Sequence, residues 1–261
     1  MTGSHFESNS GSAIYAGGGA ISVRNSSFVG NGGGSGGAIS MVNPSARIDV
    51  VNSSFIKNRG GALYMENGAT ATLTHVTFLG NGPALDTRDD AFTAAGYFNL
   101  RNSIVVGRLS SQVCDNLKQN ISNFIRDGAC SPALSGDPML EEATDPAAHI
   151  ELKPDSPAIN AANPTFCPET DQLGRARSFV SRCDIGAIEA IPVSRAMSDC
   201  AVTTTHLLNF RDGPSGKIIG GVPQGATLSV KARTPHWFEV EHEGQSGWIS
   251  AAYVVAQGEC G

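Results

Sequence analysis

The sequence predicts an all-β chain: a β-solenoid built of stacked short-strand coils, followed by a small β-barrel. Three observations predict it. Two short patterns, Gly-Gly-Ala-aliphatic and Phe-x-x-Asn, recur together through about residues 1–106. Glycine is abundant, 31 of 261 residues, and the apolar positions between the glycines are β-branched or aromatic, a composition that suits strands and turns rather than helices. Residues 200–261 then change to short alternating strands punctuated by turn signals at closer spacing, the pattern of a small barrel.

The first pattern reads Gly18-Gly19-Ala20-Ile21, Gly36-Gly37-Ala38-Ile39 and Gly60-Gly61-Ala62-Leu63, with a decayed copy at Gly82-Pro83-Ala84-Leu85. The second reads Phe6…Asn9, Phe28…Asn31, Phe55…Asn58 and Phe78…Asn81, with successive Phe positions 22, 27 and 23 apart. Alternating segments precede each later Phe, as in Ile21-Ser-Val23 and Ile48-Asp-Val50, and Leu100-Arg-Asn102-Ser-Ile104 is a further decayed copy. One such coil cannot bury its own apolar side, so coils must stack. Stacking predicts one buried column of Phe28, Phe55 and Phe78, continued by Phe6, and another of Ile21, Ile39 and Leu63. Asn9, Asn31, Asn58 and Asn81 fall at the turn after the Phe strand. There their amides can bond the next coil as an internal ladder, at corners whose left-handed backbone Asn and Gly tolerate. Segments such as 42–45 and 66–68 read as loops at the rim. A leucine-rich repeat has a similar period but needs LxxLxL strands, which the sequence lacks.

The linked GGA-aliphatic and FxxN motifs resemble the repeat of the polymorphic outer membrane proteins, which implies a right-handed parallel β-helix over residues 1–135. Further on, Ser156-Pro-Ala-Ile-Asn160, Asp171-Gln-Leu-Gly-Arg-Ala-Arg177 and Cys183-Asp-Ile-Gly-Ala-Ile-Glu189 stand in the order found in bacterial choice-of-anchor surface proteins of type Q. That resemblance implies that residues 136–192 close the C-terminal end of the β-helix, blunting its unpaired backbone edge. Asn160 and Ala162 stand where that family has Asp and Gly, which argues against Asn160 as an ion ligand. Asp171, Arg177, Asp184 and Glu189 are expected to pair with one another and with loop amides rather than to form an acid/base set.

The six cysteines are Cys114, Cys130, Cys167, Cys183, Cys200 and Cys260, and none lies in a CxxC pair that would signal zinc or thioredoxin-type chemistry. Six cysteines allow about 15 pairings, and spacing does not choose among them. Pairing of neighbours, 114–130, 167–183 and 200–260, closes the shortest loops. Disulfides imply an exported, extracellular or cell-surface protein. Residues 1–10 carry neither a charged n-region nor an apolar h-region. Together these lead to the expectation that Met1 is not the native start and that upstream coils exist in a longer parent. A net charge of −6 without a basic block argues against nucleic acid as a partner, and no apolar run is long enough to span a membrane.

Residues 193–199 read as a linker. In the last 62 or so residues the Leu208-Asn-Phe-Arg-Asp-Gly-Pro-Ser215 start, the Val222-Pro-Gln-Gly225 turn and the Gly247-Trp248…Tyr253-Val254 end resemble the bacterial SH3-like (SH3b) domain. A core of this size is marginal, and a 200–260 bridge would tie its ends. Alternation along 237–241 puts Phe238 and Val240 in the core and Trp237 on the opposite face, partly exposed near Trp248 or Tyr253. Trp237, Trp248, Tyr253 and Arg211 are the candidate binding residues, and the resemblance implies a cell-wall peptide or glycan as ligand.

No GxSxG, HExxH, P-loop or dinucleotide fingerprint is present, and no catalytic residue, metal site or cofactor is predicted. The acidic cluster Asp86, Asp89 and Asp90 reads as a solvated loop, with ion binding left open. His75, without Cys or carboxylate nearby in sequence, reads as a satisfied histidine. The functional expectation is an extracellular bacterial surface protein of structural or adhesive role. It would carry an SH3b binding module and self-associate through an open solenoid end. The alternative is a carbohydrate-active β-helix enzyme targeted to cell wall.

Overall fold

A computed structural model describes residues 1–32, 37–66, 68–82, 92–142, 149–153, 156–177, 183–190, 195–214, 217–234 and 237–260. Asp86, Asp89, Asp90 and Leu85 lie outside the described residues. Two compact units are present, Met1–Ala190 and Ile191–Gly261. Arg195–Ala196, within the expected linker, pairs antiparallel with Ala232 and Arg233 and so belongs to the second unit's sheet.

The first unit is a parallel β-solenoid with strands on three faces, the last coil adding strands to two of them and carrying the short helix Ser111–Asn116 instead of a third. The first face stacks Ala20–Arg24 on 47–51, 70–74, Tyr97–Arg101 and Leu117–Ile121. The second stacks His5–Glu7 on Ser27–Val29, 54–56, 77–79, Ile104–Val106 and Phe124–Ile125. These faces form one 9-stranded sheet bent at a single residue per coil. That residue is left-handed each time: Asn25, Asn52, His75, Asn102 and Ser122, with φ between 48° and 52°. Asn suits this corner because its short polar side chain tolerates the conformation. The third face is a 4-stranded sheet of Ile14–Ala16, Ile39–Met41, Leu63–Met65 and Phe92–Ala94.

The Phe column forms as the repeats imply. Phe6, Phe28, Phe55 and Phe78 stack with ring centroids 4.9, 4.7 and 5.0 Å apart, and the last three are fully buried. The aliphatic column is corrected. Ile39 and Leu63 do pair, but their neighbour in the first coil is Ile14, whereas Ile21 pairs with Ile48 on another face. A Gly-rich turn before an aliphatic residue marks two different corners of the coil, and Gly18–Ile21 is the wrong one. At the other end Phe92 pairs with Leu63, in the position expected for Leu85.

The asparagine ladder is continuous. Nδ2 of Asn9 donates to Oδ1 of Asn31 at 2.6 Å, Asn31 to Asn58 at 2.9 Å, and Asn58 to Asn81 at 2.8 Å. The second amide hydrogens of Asn31, Asn58 and Asn81 reach the carbonyls of Phe6, Phe28 and Phe55. The left-handed residue at this corner is the one before each ladder Asn: Ser8, Gly30, Lys57 and Gly80. A serine ladder at the other corner was not read from the sequence. Ser4 N–H donates to Ser26 Oγ, Ser26 N–H to Ser53 Oγ, and Val76 N–H to Ser103 Oγ. The recurring Asn-Ser-Ser-Phe at 25–28 and 52–55 was its visible signal.

Residues 156–177 and 183–190 run along the solenoid's flank, where the sequence reading placed a cap over its terminal coil. They cover the outward side chains of the second face, burying Ile104, Val106 and Phe124 against Ala158, Ala162 and Ile185. Their hydrogen bonds climb coil by coil. Gln172 meets Ser26 and Ser54, Thr170 accepts from Asn52, Ala187 N–H donates to Thr77, and Gly186 N–H donates to the Asn102 carbonyl. Gly186 has φ +105°, and a Cβ there would meet Ile104 and Thr77 at 2.8 and 2.9 Å, so only glycine allows this approach.

The second unit is an 8-stranded antiparallel sheet, consistent with an SH3-like barrel. Its core holds Val202, Leu208, Phe210, Val222, Val230, Phe238, Val240 and Ile249. A two-residue turn with positive φ at Glu243 and Gly244 joins Trp237–His242 to Gln245–Ser250, as a right-twisted hairpin requires. Disulfides join Cys114 to Cys130, Cys167 to Cys183 and Cys200 to Cys260, the neighbour pairing.

Candidate functional site

The candidate binding face lies on the second unit's sheet. Arg211 pairs with Trp248 across one strand boundary, and Trp248 pairs with Glu239 across the next. In an antiparallel sheet, directly paired residues project to the same side. A cation, an indole and a carboxylate thus stand in one row. Trp237, diagonal to Trp248, joins the row, with the Arg211 guanidinium 5.8 Å from its ring centroid.

Two expectations change here. Trp237, expected to be partly exposed, is 7% exposed. Alternation correctly turned it away from Phe238 and Val240, but the face it turns to is covered. Arg211 stands over the ring, and the Trp237 backbone is tied to Thr234, Thr234 N–H donating to the Trp237 carbonyl and Trp237 N–H to Thr234 Oγ1. The ring is therefore a support for Arg211, and Trp248, half-buried, is the indole that solvent reaches. Tyr253 is 48% exposed but contacts His206 edge-on, with centroids 5.6 Å apart, rather than joining the Arg211 row by register. Gly247, beside Trp248, has no room for a Cβ, which would fall 2.5 Å from the Phe210 ring.

The flank of the solenoid holds the densest charge cluster among the described residues. Arg177 is buried and donates to Glu189 Oε2 at 3.0 Å, to Asn52 Oδ1, and to the carbonyls of Asp184, Gly186 and Ala187. Asp171 accepts from the N–H groups of Leu173, Arg175 and Glu189, and Asp184 from those of Asn160 and Ala190. Burial lowers the Arg177 pKa against its neighbouring carboxylates. Burial, and then the adjacent Glu189 charge, push Asp184 up to about 7. Every carboxylate here has a backbone or arginine partner, so the cluster is a structural clasp. His75 is buried at the corner of its coil, with burial and then the Arg177 charge holding its pKa well below the ordinary 6.5.

Residues 206–255 match the family model of the bacterial SH3 domain. A Bacillus subtilis (strain 168) protein named as an N-acetylmuramoyl-L-alanine amidase, YrvJ, is 33% identical over 72 residues, 27% of this chain and 14% of that protein. The chain thus spans a small part of that relative's length. No solved structure matches. Among the described residues, no helix is long and apolar enough to cross a membrane.

Proposed function

We propose that the chain is an extracellular bacterial surface protein whose SH3-like barrel binds cell-wall peptide or glycan and whose solenoid is a structural or adhesive element. The observation that carries this reading is the Arg211–Trp248–Glu239 row inside the bacterial SH3 match. A half-exposed indole offers an apolar platform, and the flanking cation and carboxylate select a ligand bearing both charges, as wall peptides do. The relative's name specifies an N-acetylmuramoyl-L-alanine substrate, which supports a wall context for the shared module. Three disulfides support an oxidising, extracytoplasmic compartment.

Co-sedimentation of the full chain with purified peptidoglycan tests the reading. Wild type should pellet, and W248A and R211A should each weaken retention about tenfold, the loss of one good contact. Absence of wild-type retention, or equal retention by both variants, would remove the wall-binding role.

A further inference from the structure

The corner column of the solenoid is occupied by Asn25, Asn52, Asn102 and Ser122, except in the coil that carries His75. A left-handed corner needs only a side chain that tolerates the conformation, which Asn supplies. The imidazole adds something else: it faces the Cys167–Cys183 disulfide. His75 Nε2 lies 3.6 Å from Cys183 Sγ. The ligand atoms of His75, Cys167 and Cys183 all lie within 4.8 Å of one another.

We propose that His75, Cys167 and Cys183 form a redox-gated site for a soft-ligand divalent cation of the Zn2+ type, closed while the disulfide is intact and open once it is reduced. In a tetrahedral site with Zn–N near 2.0 Å and Zn–S near 2.3 Å, nitrogen and sulfur ligands stand about 3.5 Å apart. The His75–Cys183 separation already has that value. The imidazole is set in the tautomer a metal needs. Nδ1–H donates to the Gly186 carbonyl at 3.2 Å and Asn102 Nδ2 donates to Nε2 at 3.0 Å, so Nε2 carries the lone pair, and a cation takes it by displacing the Asn102 amide, which keeps its bond to the Asn163 carbonyl. A backbone carbonyl on the far ring nitrogen is the usual outer partner of a metal-bound histidine. Burial keeps the ring neutral, as a ligand must be. Cys183 is fully buried, and Cys167, at the end of the short turn Pro164–Phe166, is half-buried and gives the path in.

Opening the site consumes two electrons and two protons, which convert the disulfide to two thiols. A dithiol reductant supplies them and leaves as its own disulfide. The sulfurs then separate to about 3.8 Å, the spacing of two thiolates on one tetrahedral ion. Binding of the cation displaces both thiol protons to solvent. The ion would tie both flank cysteines to His75 of the coil, a link that the disulfide, which joins two flank residues, does not make.

The test uses the full chain, reduced with a dithiol and desalted without oxygen, with Co2+ as the spectroscopic probe. Wild type should bind with thiolate-to-cobalt charge-transfer absorption, and the non-reduced chain should not. H75N, which keeps a residue suited to the corner, should bind at least about tenfold more weakly, a loss near 1.4 kcal/mol. C114S/C130S should keep the spectrum and C167S/C183S should lose it. Absence of the band in reduced wild type, or an unchanged band in H75N, overturns the proposal. Should C167S/C183S not fold, alkylation decides: Zn2+ should slow iodoacetamide labelling of Cys167 and Cys183 in reduced wild type at least tenfold. Equal labelling rates with and without Zn2+ overturn the site.

Discussion

Arg177 reaches Asn52 across 125 residues of chain, with Nη2 3.1 Å from the corner amide oxygen. One arginine thereby links the flank's carboxylates to the wall of the solenoid. Removing one member of a buried pair leaves an uncompensated charge, which destabilises by about 3–5 kcal/mol. R177M should therefore lower the unfolding free energy of the first unit by about 3–5 kcal/mol, read as a lower urea midpoint. R177M/E189Q should recover part of the loss, since the orphaned carboxylate is gone. Urea unfolding followed by circular dichroism checks both, and a double variant no better than R177M would refute the pairing argument.

Phe55 is stacked on both sides, at 4.7 Å from Phe28 and 5.0 Å from Phe78. Phe6, at the edge of the stack, meets one ring and is not fully buried. F55A should lose about 3–5 kcal/mol and F6A distinctly less. Equal losses in thermal or chemical denaturation would mean that the column does not carry the stability.

Asn58 accepts from the backbone and side chain of Asn31 and donates to Asn81 and to Phe28. N58D keeps the shape but replaces both donors with acceptors, facing two oxygens in a buried site. It should destabilise by about 2–4 kcal/mol, more than N58A. The order of the two variants in urea midpoint is the check.

His75 and Asp184 set opposite pH slopes. With its pKa depressed, folded His75 refuses a proton that the unfolded chain accepts below the ordinary 6.5, so its contribution is lost as pH falls through that value. Asp184, pushed up to about 7, holds a proton that the unfolded chain releases near 3.8, so its contribution is full at low pH and lost as pH rises to about 7. On going from pH 7 to pH 5, H75N should gain stability relative to wild type, by at most about 1.4 kcal/mol per pH unit. Urea midpoints at pH 5, 6 and 7 measure the difference, and parallel profiles would contradict it.

The Phe and Asn columns were legible in the sequence because each residue's partner is its own repeat one coil later. The aliphatic column was legible only in part, since Gly18–Ile21 and Gly36–Ile39 look alike in sequence yet begin strands on different faces. The flank was not legible in its position. Its bonds to the coils, such as Ser54–Gln172 at a separation of 118 and Thr77–Ala187 at 110, follow no period and leave no local pattern. In the barrel, alternation told which way Trp237 points but not that Arg211 stands over it and that its ring is buried.

The flank segment changes how the first unit comes apart. A bare repeat array couples nearest neighbours only, so it frays from its ends and loses coils singly. Here the flank segments 156–177 and 183–190 are bonded between them to successive coils from Ser26 to Asn102. Peeling away any of these coils also breaks the strap that serves the others. Opening is thereby made all-or-none across the strapped coils, and amide hydrogen exchange should show nearly uniform protection along them rather than a gradient falling toward the first coil.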